Sequence, residues 1–176
     1  MPPALPRPPS YTRFAVALVI AVLLGGCNLS DEAEELSGGY RYRNEGPNTK
    51  ELLSSREGMA SIHGRVLRYR HNADFIVAVQ RPVYGEYRTG LGFDLRSDER
   101  TYPTNSVAEM VASERVADSL LTHDPQYRAV FVHRMNYWII AHGPGKIHGP
   151  LTYSEYVQQA RTLQLPDQLT LEAEPE

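Results

Sequence analysis

The sequence predicts an α+β fold, in which an antiparallel β-sheet built of hairpins is packed against about two helices. Short runs rich in β-branched and aromatic residues dominate the chain between residues 38 and 168, and turn residues join these runs in pairs. Two motifs that begin helices stand among the runs. Strands that follow one another, with separate helices, are typical of an α+β domain.

The first predicted strand follows Gly38 and Gly39. Tyrosine and arginine alternate over residues 40–43, which is typical of a strand with one buried face. Residues 45–48 contain a glycine and a proline and are expected to end the strand in a turn.

Two hairpins are predicted further along the chain. The first joins residues 62–70 to residues 75–80 through a polar turn. The second joins residues 137–140 to residues 146–148 around Gly143-Pro144-Gly145. A turn centred on Pro144-Gly145 pairs residue 142 with 147 and residue 141 with 148. The strand before this hairpin is expected within residues 128–134.

Capping boxes predict where two helices begin. In a capping box a side-chain hydroxyl accepts a backbone hydrogen bond, and a glutamate three residues later reaches back. Ser106 and Glu109 begin one helix, which is expected to end near Pro125. Thr152 and Glu155 begin the other. Each helix is expected to pack on one face of the sheet.

The N-terminal segment predicts a secretory signal. Arg7 and Arg13 precede an apolar run over residues 14–24, and no acidic residue is present there. The run is too short to span a bilayer comfortably.

Leu24-Gly25-Gly26-Cys27 resembles the lipobox of bacterial lipoproteins. That resemblance implies that Cys27, the only cysteine, is alkylated by a diacylglyceryl group and becomes an acylated amino terminus, with acyl chains such as palmitate. The alternatives are a buried structural thiol and a chance cysteine after an uncleaved anchor.

These signals divide the chain into four parts. Residues 1–26 are the predicted cleaved signal peptide, residues 27–37 an acidic tether, residues 38–168 a single α+β domain and residues 169–176 an acidic tail. Removal of the signal peptide leaves 16 basic and 21 acidic residues, which changes the net charge from −3 to −5. A mildly acidic chain argues against nucleic-acid binding, and a lipidated Cys27 excludes a disulfide.

Several pieces of the chain resemble an uncharacterised family of small bacterial lipoproteins with a domain of unknown function. The pieces are residues 36–40, residues 72–80, residues 137–151 and the helix that follows Thr152. The chain departs from the pattern between Gln80 and Tyr137. The resemblance implies a surface location and a fold type, but it supplies no catalytic residues.

The histidines are the first candidates for chemistry because imidazole binds metals and transfers protons. His142 and His148 flank the tip of the second hairpin, but the expected register places them on opposite faces of the strands. We therefore expect exposed polar residues there, with no metal site and no cofactor. His63 and His71 lie near the ends of one predicted strand and are expected to face solvent.

Carboxylates are the second candidates. Asp94, Asp98 and Glu99 lie close together in the sequence, and paired carboxylates can hydrolyse glycosides. Arg96 and Arg100 are interspersed with them, which favours a solvated loop. Motifs for an activated serine and for a phosphate-binding loop are missing from the sequence.

Residues 81–102 are the most interesting segment of the predicted domain because tyrosines, a phenylalanine and arginines are mixed there. Tyrosine and arginine are enriched at binding hot spots. Tyr84, Tyr87 and Arg88 are therefore candidates for contact with a protein partner. The alternative is a long connection whose aromatic side chains pack back on the sheet.

The sequence thus predicts a lipoprotein that the acylated Cys27 holds on the bacterial cell envelope, facing the periplasm or the exterior. Asn28 favours the outer membrane if the organism has one. We expect a non-catalytic binding protein, such as an inhibitor or immunity protein. The alternative is an envelope hydrolase with an unfamiliar carboxylate or histidine site. An exposed tyrosine–arginine patch would favour binding, and two titratable groups within hydrogen-bond reach in a cleft would favour an enzyme.

Overall fold

A computed structural model of the protein describes residues 32–56 and 58–175. Within these ranges the chain forms a seven-stranded sheet, four α-helices and two short 3₁₀ turns. The strands are β1 (Glu32–Glu35), β2 (Tyr40–Asn44), β3 (Lys50–Ser54), β4 (Arg65–His71), β5 (Phe75–Arg81), β6 (Asn136–Ala141) and β7 (Lys146–Leu151). The helices are α1 (Tyr84–Arg96), α2 (Val107–His123), α3 (Pro125–Ala129) and α4 (Tyr153–Thr162).

The strands lie in the sheet in their order along the chain. Neighbouring strands are antiparallel except β3 and β4, which pair in parallel where Lys50 lies opposite Arg65. An isolated antiparallel bridge between Leu52 and Ile62 also links β3 to the connection that precedes β4. The first three strands are thereby joined to the other four.

Two apolar cores cover the central strands β5 and β6 on both faces. One core packs alternate residues such as Ile76, Ala78 and Trp138 against helices α1, α2 and α3. The other packs Val77 and Ile139, with their neighbours, against α4. Because both faces are buried, these strands are continuous apolar runs without polar alternation.

The α+β class and the predominantly antiparallel sheet are confirmed. Both predicted hairpins form, as β4–β5 and β6–β7. Both capping boxes are present, at Ser106 and at Thr152. Tyr40 and Tyr42 are buried on β2, as their alternation predicts. The expected count of about two helices is too low, since the described residues form four.

Two segments differ in kind from the predictions. Residues 84–96, within the segment interpreted as a connection, form helix α1, and residues 128–134, expected to be a strand, contain the end of α3 and a turn. The N–H groups of Val130 and Phe131 donate to carbonyls three residues earlier, so the backbone there remains helical. Helix α1 is stabilised by burial of Tyr87 and Leu91 in the core, a tertiary contact that sequence patterns detect poorly.

The register of the second hairpin is shifted by two residues. Ala141 pairs with Lys146, and His148 lies opposite Ile139. Gly145, with a φ of 61°, closes a four-residue turn by donating its N–H to the carbonyl of His142. The turn is therefore centred one residue earlier than predicted.

The folded part of the chain is longer at both ends than the predicted domain. Within the predicted tether, residues 32–35 pair with β2 as the edge strand β1, and residues 27–31 lie outside the described residues. Within the predicted tail, Leu169 and Leu171 are buried, and Arg68 forms an ion pair with Glu174. The backbone N–H of Leu171 also donates to the hydroxyl of Tyr156.

In the described ranges, the helices are all too short or too polar to cross a membrane.

The C-terminal segment is predicted to be part of the folding unit. Leu171→Ala removes a buried side chain from the core under α4 and is expected to lower the free energy of unfolding by about 2–5 kcal/mol. Glu172→Ala, at the exposed neighbouring position, is the control and should change stability by less than about 0.5 kcal/mol. Urea unfolding followed by tryptophan fluorescence measures both, and equal stabilities of the two variants would contradict this packing.

Candidate functional site

A buried histidine lies between two carboxylates at the junction of the sheet and α1. The side chain of His63 is 2% exposed. Its Nε2 lies 2.8 Å from Oδ2 of Asp94, and its Nδ1 lies 3.2 Å from Oε1 of Glu51. Arg43 extends the array by donating to Oε2 of Glu51 over 2.5 Å. We refer to Arg43, Glu51, His63 and Asp94 as the charge chain.

Four different segments supply the charge chain. Arg43 and Glu51 lie directly opposite each other on β2 and β3, so their side chains are cross-strand neighbours. His63 lies in the connection before β4, next to Gly64, whose φ of 88° suits glycine. Asp94 lies in the last turn of α1. The charge chain therefore fixes α1 against the β2–β3 hairpin.

Gly90 allows α1 to approach this closely. A Cβ atom at Gly90 would lie 2.3 Å from Nδ1 of His63 and 2.9 Å from Oε1 of Glu51. One helical turn earlier, the ring of Tyr87 meets the His63 ring edge-on, with 5.5 Å between centroids. Glycine at position 90 and an aromatic ring at position 87 together enclose the imidazole.

A buried amide network holds the backbone of His63. Gln80 donates through Nε2 to the His63 carbonyl over 2.5 Å. Its Oε1 accepts from Nε1 of Trp138 over 2.9 Å and from Nδ2 of Asn136 over 3.1 Å. Asn136 also donates to the carbonyl of Val130. The amide network thus connects His63 to the central strands and to the end of α3.

The electrostatics favour an imidazolium at position 63. Burial lowers the pKa of His63, but the hydrogen bonds to Asp94 and Glu51 and the charges of those carboxylates outweigh it and raise the pKa to about 9. Burial likewise opposes the charge on Glu51, yet His63 and Arg43 bring its pKa below the ordinary value. The charge chain then carries two positive and two negative groups, so the buried charges are paired.

Asp94 is the most exposed member of the charge chain, at 36% of its side chain, and it shares the lining of one cavity with His63. It lines a cavity of about 190 Å³ together with Ser61, Leu91 and Leu95. A second cavity of about 280 Å³ shares Ala60, Ser61, Tyr87 and Tyr127 with the first. Its other lining residues include Met59, Ile62, Val130, Trp138, Ile147 and Pro150. The two cavities adjoin, and their lining is mostly apolar, with Asp94 in the smaller cavity and Gln126 and Lys146 in the larger one.

The residues predicted to contact a partner do not form one exposed patch. Tyr84 is 43% exposed and lies 2.9 Å from Oδ1 of Asp118 through its hydroxyl. Arg88 is partly exposed and pairs with Glu114. Tyr87 is buried against His63 and Phe131, and burial raises the pKa of its hydroxyl. Their helical spacing directs Tyr87 to the core and the other two to α2.

The expectation that His63 faces solvent is wrong, because His63 precedes β4 and turns toward α1 instead of standing on the strand. His71 is exposed as expected and lies 3.4 Å from Glu34. His142 and His148 are half-buried, contrary to the expectation of exposed residues. His142 packs over Gly38 and hydrogen-bonds to the carbonyl of Ala73.

Of the three carboxylates considered, only Asp94 joins a buried site. Asp98 bonds instead to the hydroxyl of Thr101 at 2.7 Å and to the backbone of Arg100, and Glu99 is exposed. In the part of the chain that is described, no group of three or more histidine, cysteine, aspartate or glutamate residues could hold a metal ion. Cys27, the predicted lipidation site, lies outside the described residues.

Comparisons of the chain with models of protein families, with curated proteins and with solved structures returned no match. The resemblance to small bacterial lipoproteins therefore stays a prediction. The sequence carries two signals for the charge chain: Glu51 at the start of an apolar strand and Gly90 within a helix. Neither of them identifies His63 as a partner of these residues.

The charge of His63 predicts a pH-dependent stability. Because the folded-state pKa is raised from 6.5 to about 9, the stabilisation is complete below pH 6.5 and is lost as the pH rises through 9. The stabilisation corresponds to about 3 kcal/mol.

Urea unfolding of the wild-type protein between these pH values should show this decrease in the free energy of unfolding. The His63→Gln variant should be less stable at low pH, and its stability should depend less on pH. His71→Gln, at an exposed position, should keep the wild-type profile. A flat wild-type profile would contradict a charged His63.

The close approach of α1 predicts opposite effects at two glycines of one helix. Gly90→Ala places a methyl group against His63 and Glu51 and should destabilise the fold by about 1–3 kcal/mol. Gly85→Ala meets nothing within 4 Å and should stabilise the helix by up to about 1 kcal/mol. Thermal unfolding of the two variants measures the difference. A neutral Gly90→Ala would show that α1 does not lie this close to the imidazole.

Proposed function

We propose that this protein is a lipid-anchored envelope protein that binds a small ligand with an apolar body and a hydrogen-bond-donating head. The observation that carries the binding part is the pair of adjoining cavities that end at Asp94. Apolar pockets with a few convergent polar groups are typical of ligand sites. The anchor rests on the basic start, the short apolar run, the two small residues and Cys27.

The larger cavity suits the body of such a ligand. Aromatic side chains from three directions line it: Tyr87 from α1, Tyr127 from α3 and Trp138 from β6. Aromatic rings give a large contact area with specific geometry. Because the buried amide network holds Trp138 through its indole N–H, this wall of the cavity is formed before a ligand arrives.

Asp94 suits the head of the ligand. Its Oδ2 is occupied by His63 over 2.8 Å, which leaves Oδ1 to accept a hydrogen bond from the cavity side. An amine is the best donor because hydrogen bonds between charged groups are shorter and stronger than neutral ones. The charge chain holds the carboxylate in place and reduces the entropy that binding must remove.

Binding fits the charge chain better than catalysis does. An imidazolium with hydrogen bonds at both ring nitrogens has no lone pair with which to act as a general base. The His63 side chain lines the smaller cavity but is only 2% exposed, so Asp94 is the group that a ligand meets first. His63 therefore positions Asp94.

An envelope hydrolase is the second candidate. It is favoured by one observation, namely that Asp94 and His63 lie within hydrogen-bond distance at a cleft, which is the arrangement we expect of an enzyme. An inhibitor or immunity protein that uses the tyrosine–arginine patch has less support, because Tyr87 is buried.

Two probes that differ in the head group test the proposed ligand chemistry. 2-Phenylethylamine carries an amine and 2-phenylethanol a hydroxyl on the same body. Trp138 lines the cavity and is the only tryptophan of the chain, so its fluorescence reports binding of both. We expect the amine to bind about tenfold more tightly, and Asp94→Asn to remove this difference while weak binding of the alcohol persists.

Asp98→Asn is the matched control, because it removes a carboxylate of the same helix end that lines neither cavity. It should leave both affinities unchanged. If neither probe changes the fluorescence of Trp138 in the wild-type protein, the ligand proposal is wrong. Ester or glycoside turnover that Asp94→Asn abolishes and Asp98→Asn preserves would instead favour the hydrolase.

The anchor is tested separately by metabolic labelling with a fatty acid in a bacterial host. Cys27→Ser should lose the label and accumulate as the uncleaved form, because the thiol that carries the diacylglyceryl group is absent. Asn28→Ser, at the neighbouring position, should keep the label. Label retained on Cys27→Ser would disprove the lipid anchor.

A further inference from the structure

One end of the sheet carries a row of cations at the point where the chain enters the fold. A line of paired positions crosses five strands at this end, and its last three positions are cations: Glu32 lies opposite Asn44, Asn44 opposite Lys50, Lys50 opposite Arg65 and Arg65 opposite Arg81. Three adjacent strands, β3 to β5, thus place a cation next to a cation. We refer to Lys50, Arg65 and Arg81 as the basic row.

The basic row is unusual because its charges are not neutralised within the fold. All three side chains are partly exposed, and in the described ranges none of them forms an ion pair. Like charges directly opposite each other on neighbouring strands destabilise a sheet. Arg65 and Arg81 therefore oppose folding slightly unless an anion outside the domain lies near them.

Two carboxylates at the same end have hydrogen-bond or ion-pair partners of their own. Glu45 pairs with Arg43 over 3.3 Å, and Glu86 accepts a hydrogen bond from Thr49 over 3.1 Å. The Thr49 contact also shows that the β2–β3 turn and the start of α1 meet at this end. The basic row thus concentrates three cations without ion pairs, within the described ranges, at one end of the sheet of an acidic chain.

Exposed apolar and aromatic residues lie beside the basic row. Tyr84, three residues after Arg81, is 43% exposed, and its ring packs on Phe131 with 5.4 Å between centroids. Val132 follows Phe131 and is 69% exposed. Arg134, just before β6, is exposed and adds a further cation without an ion pair in the described part of the chain. Cations next to a tyrosine and an aliphatic residue match the headgroup region of a bilayer.

The length of the connecting chain places this end of the sheet near the membrane. Cys27 precedes Glu32 by five residues, which reach at most about 18 Å when fully extended. Strands are about 4.8 Å apart, so the basic row begins about 10 Å from Glu32. This step rests on the proposed lipid anchor, because only an acylated Cys27 brings a bilayer to the domain.

We infer that the basic row, with Arg134, Tyr84 and Val132, docks on anionic phospholipid headgroups of the bilayer that holds Cys27. Docking fixes the orientation of the domain, with this end of the sheet toward the membrane and the β4–β5 turn away from it. The ligand cavities are then held in one orientation relative to the membrane surface.

A spin label tests this orientation in the lipidated full-length protein, expressed with its signal segment in a bacterial host and reconstituted into vesicles. With Cys27 acylated, an introduced cysteine is the only free thiol. Val132→Cys reports the docking surface, and Ala73→Cys, in the β4–β5 turn, reports the opposite end. In vesicles of phosphatidylcholine mixed with phosphatidylglycerol, the label at 132 should contact lipid, as measured by its accessibility to oxygen, and the label at 73 should stay in water.

Removal of cations from the basic row should release the domain from the vesicle surface. Arg65→Gln with Arg81→Gln should reduce the docked-to-undocked ratio about fivefold for each cation removed. Arg100→Gln with Arg161→Gln makes the same charge change at exposed positions elsewhere and should leave the ratio unchanged. High salt, which needs no variant, should release the wild-type domain, and pure phosphatidylcholine vesicles should bind it weakly.

If the protein floats with the vesicles but both labels are equally exposed to water, the docking proposal is wrong and the lipid anchor is intact. Equal lipid contact in pure phosphatidylcholine, or no effect of Arg65→Gln with Arg81→Gln in a folded protein, would overturn its electrostatic basis. A protein that carries no fatty acid and does not float would disprove the anchor, and the docking would fail with it.

Discussion

The imidazolium of His63, held between Glu51 and Asp94, is the interaction on which the arrangement of this domain depends. Burial of a charged group is strongly unfavourable unless partners surround it, and here two carboxylates and Arg43 do so. Removal of one partner would leave an uncompensated buried charge. The four segments that supply the charge chain must therefore come together in one geometry.

This constraint connects the fold to the proposed site. Asp94 needs α1 to lie against β3, and Gly90 permits that approach. The same approach turns Tyr87 inward, where it covers His63 and lines both cavities. The buried position of Tyr87 and the carboxylate in the cavity are thus two consequences of one packing contact. A ligand that binds there meets a wall already fixed by buried charges and amides.

Local signals predicted the elements that local interactions specify. The capping boxes at Ser106 and Thr152 depend on residues three positions apart, and the alternation of Tyr40 and Tyr42 depends on a single strand. Helix α1 contains three glycines, which are poor helix formers, so its sequence resembles a loop. Its stability comes from long-range packing. The site escaped prediction for the same reason, because Glu51, His63 and Asp94 are brought together by tertiary structure alone.

A doubly protonated His63 inside the fold is central to this structure. Nitrogen-15 NMR of the histidine ring nitrogens measures this directly, with His63→Gln used to assign the signals. At neutral pH we expect both ring nitrogens of His63 to carry a proton, with the proton signals displaced strongly downfield by the carboxylates. A neutral ring with one bare nitrogen at neutral pH would contradict the claim, because His63 would then be available as a base.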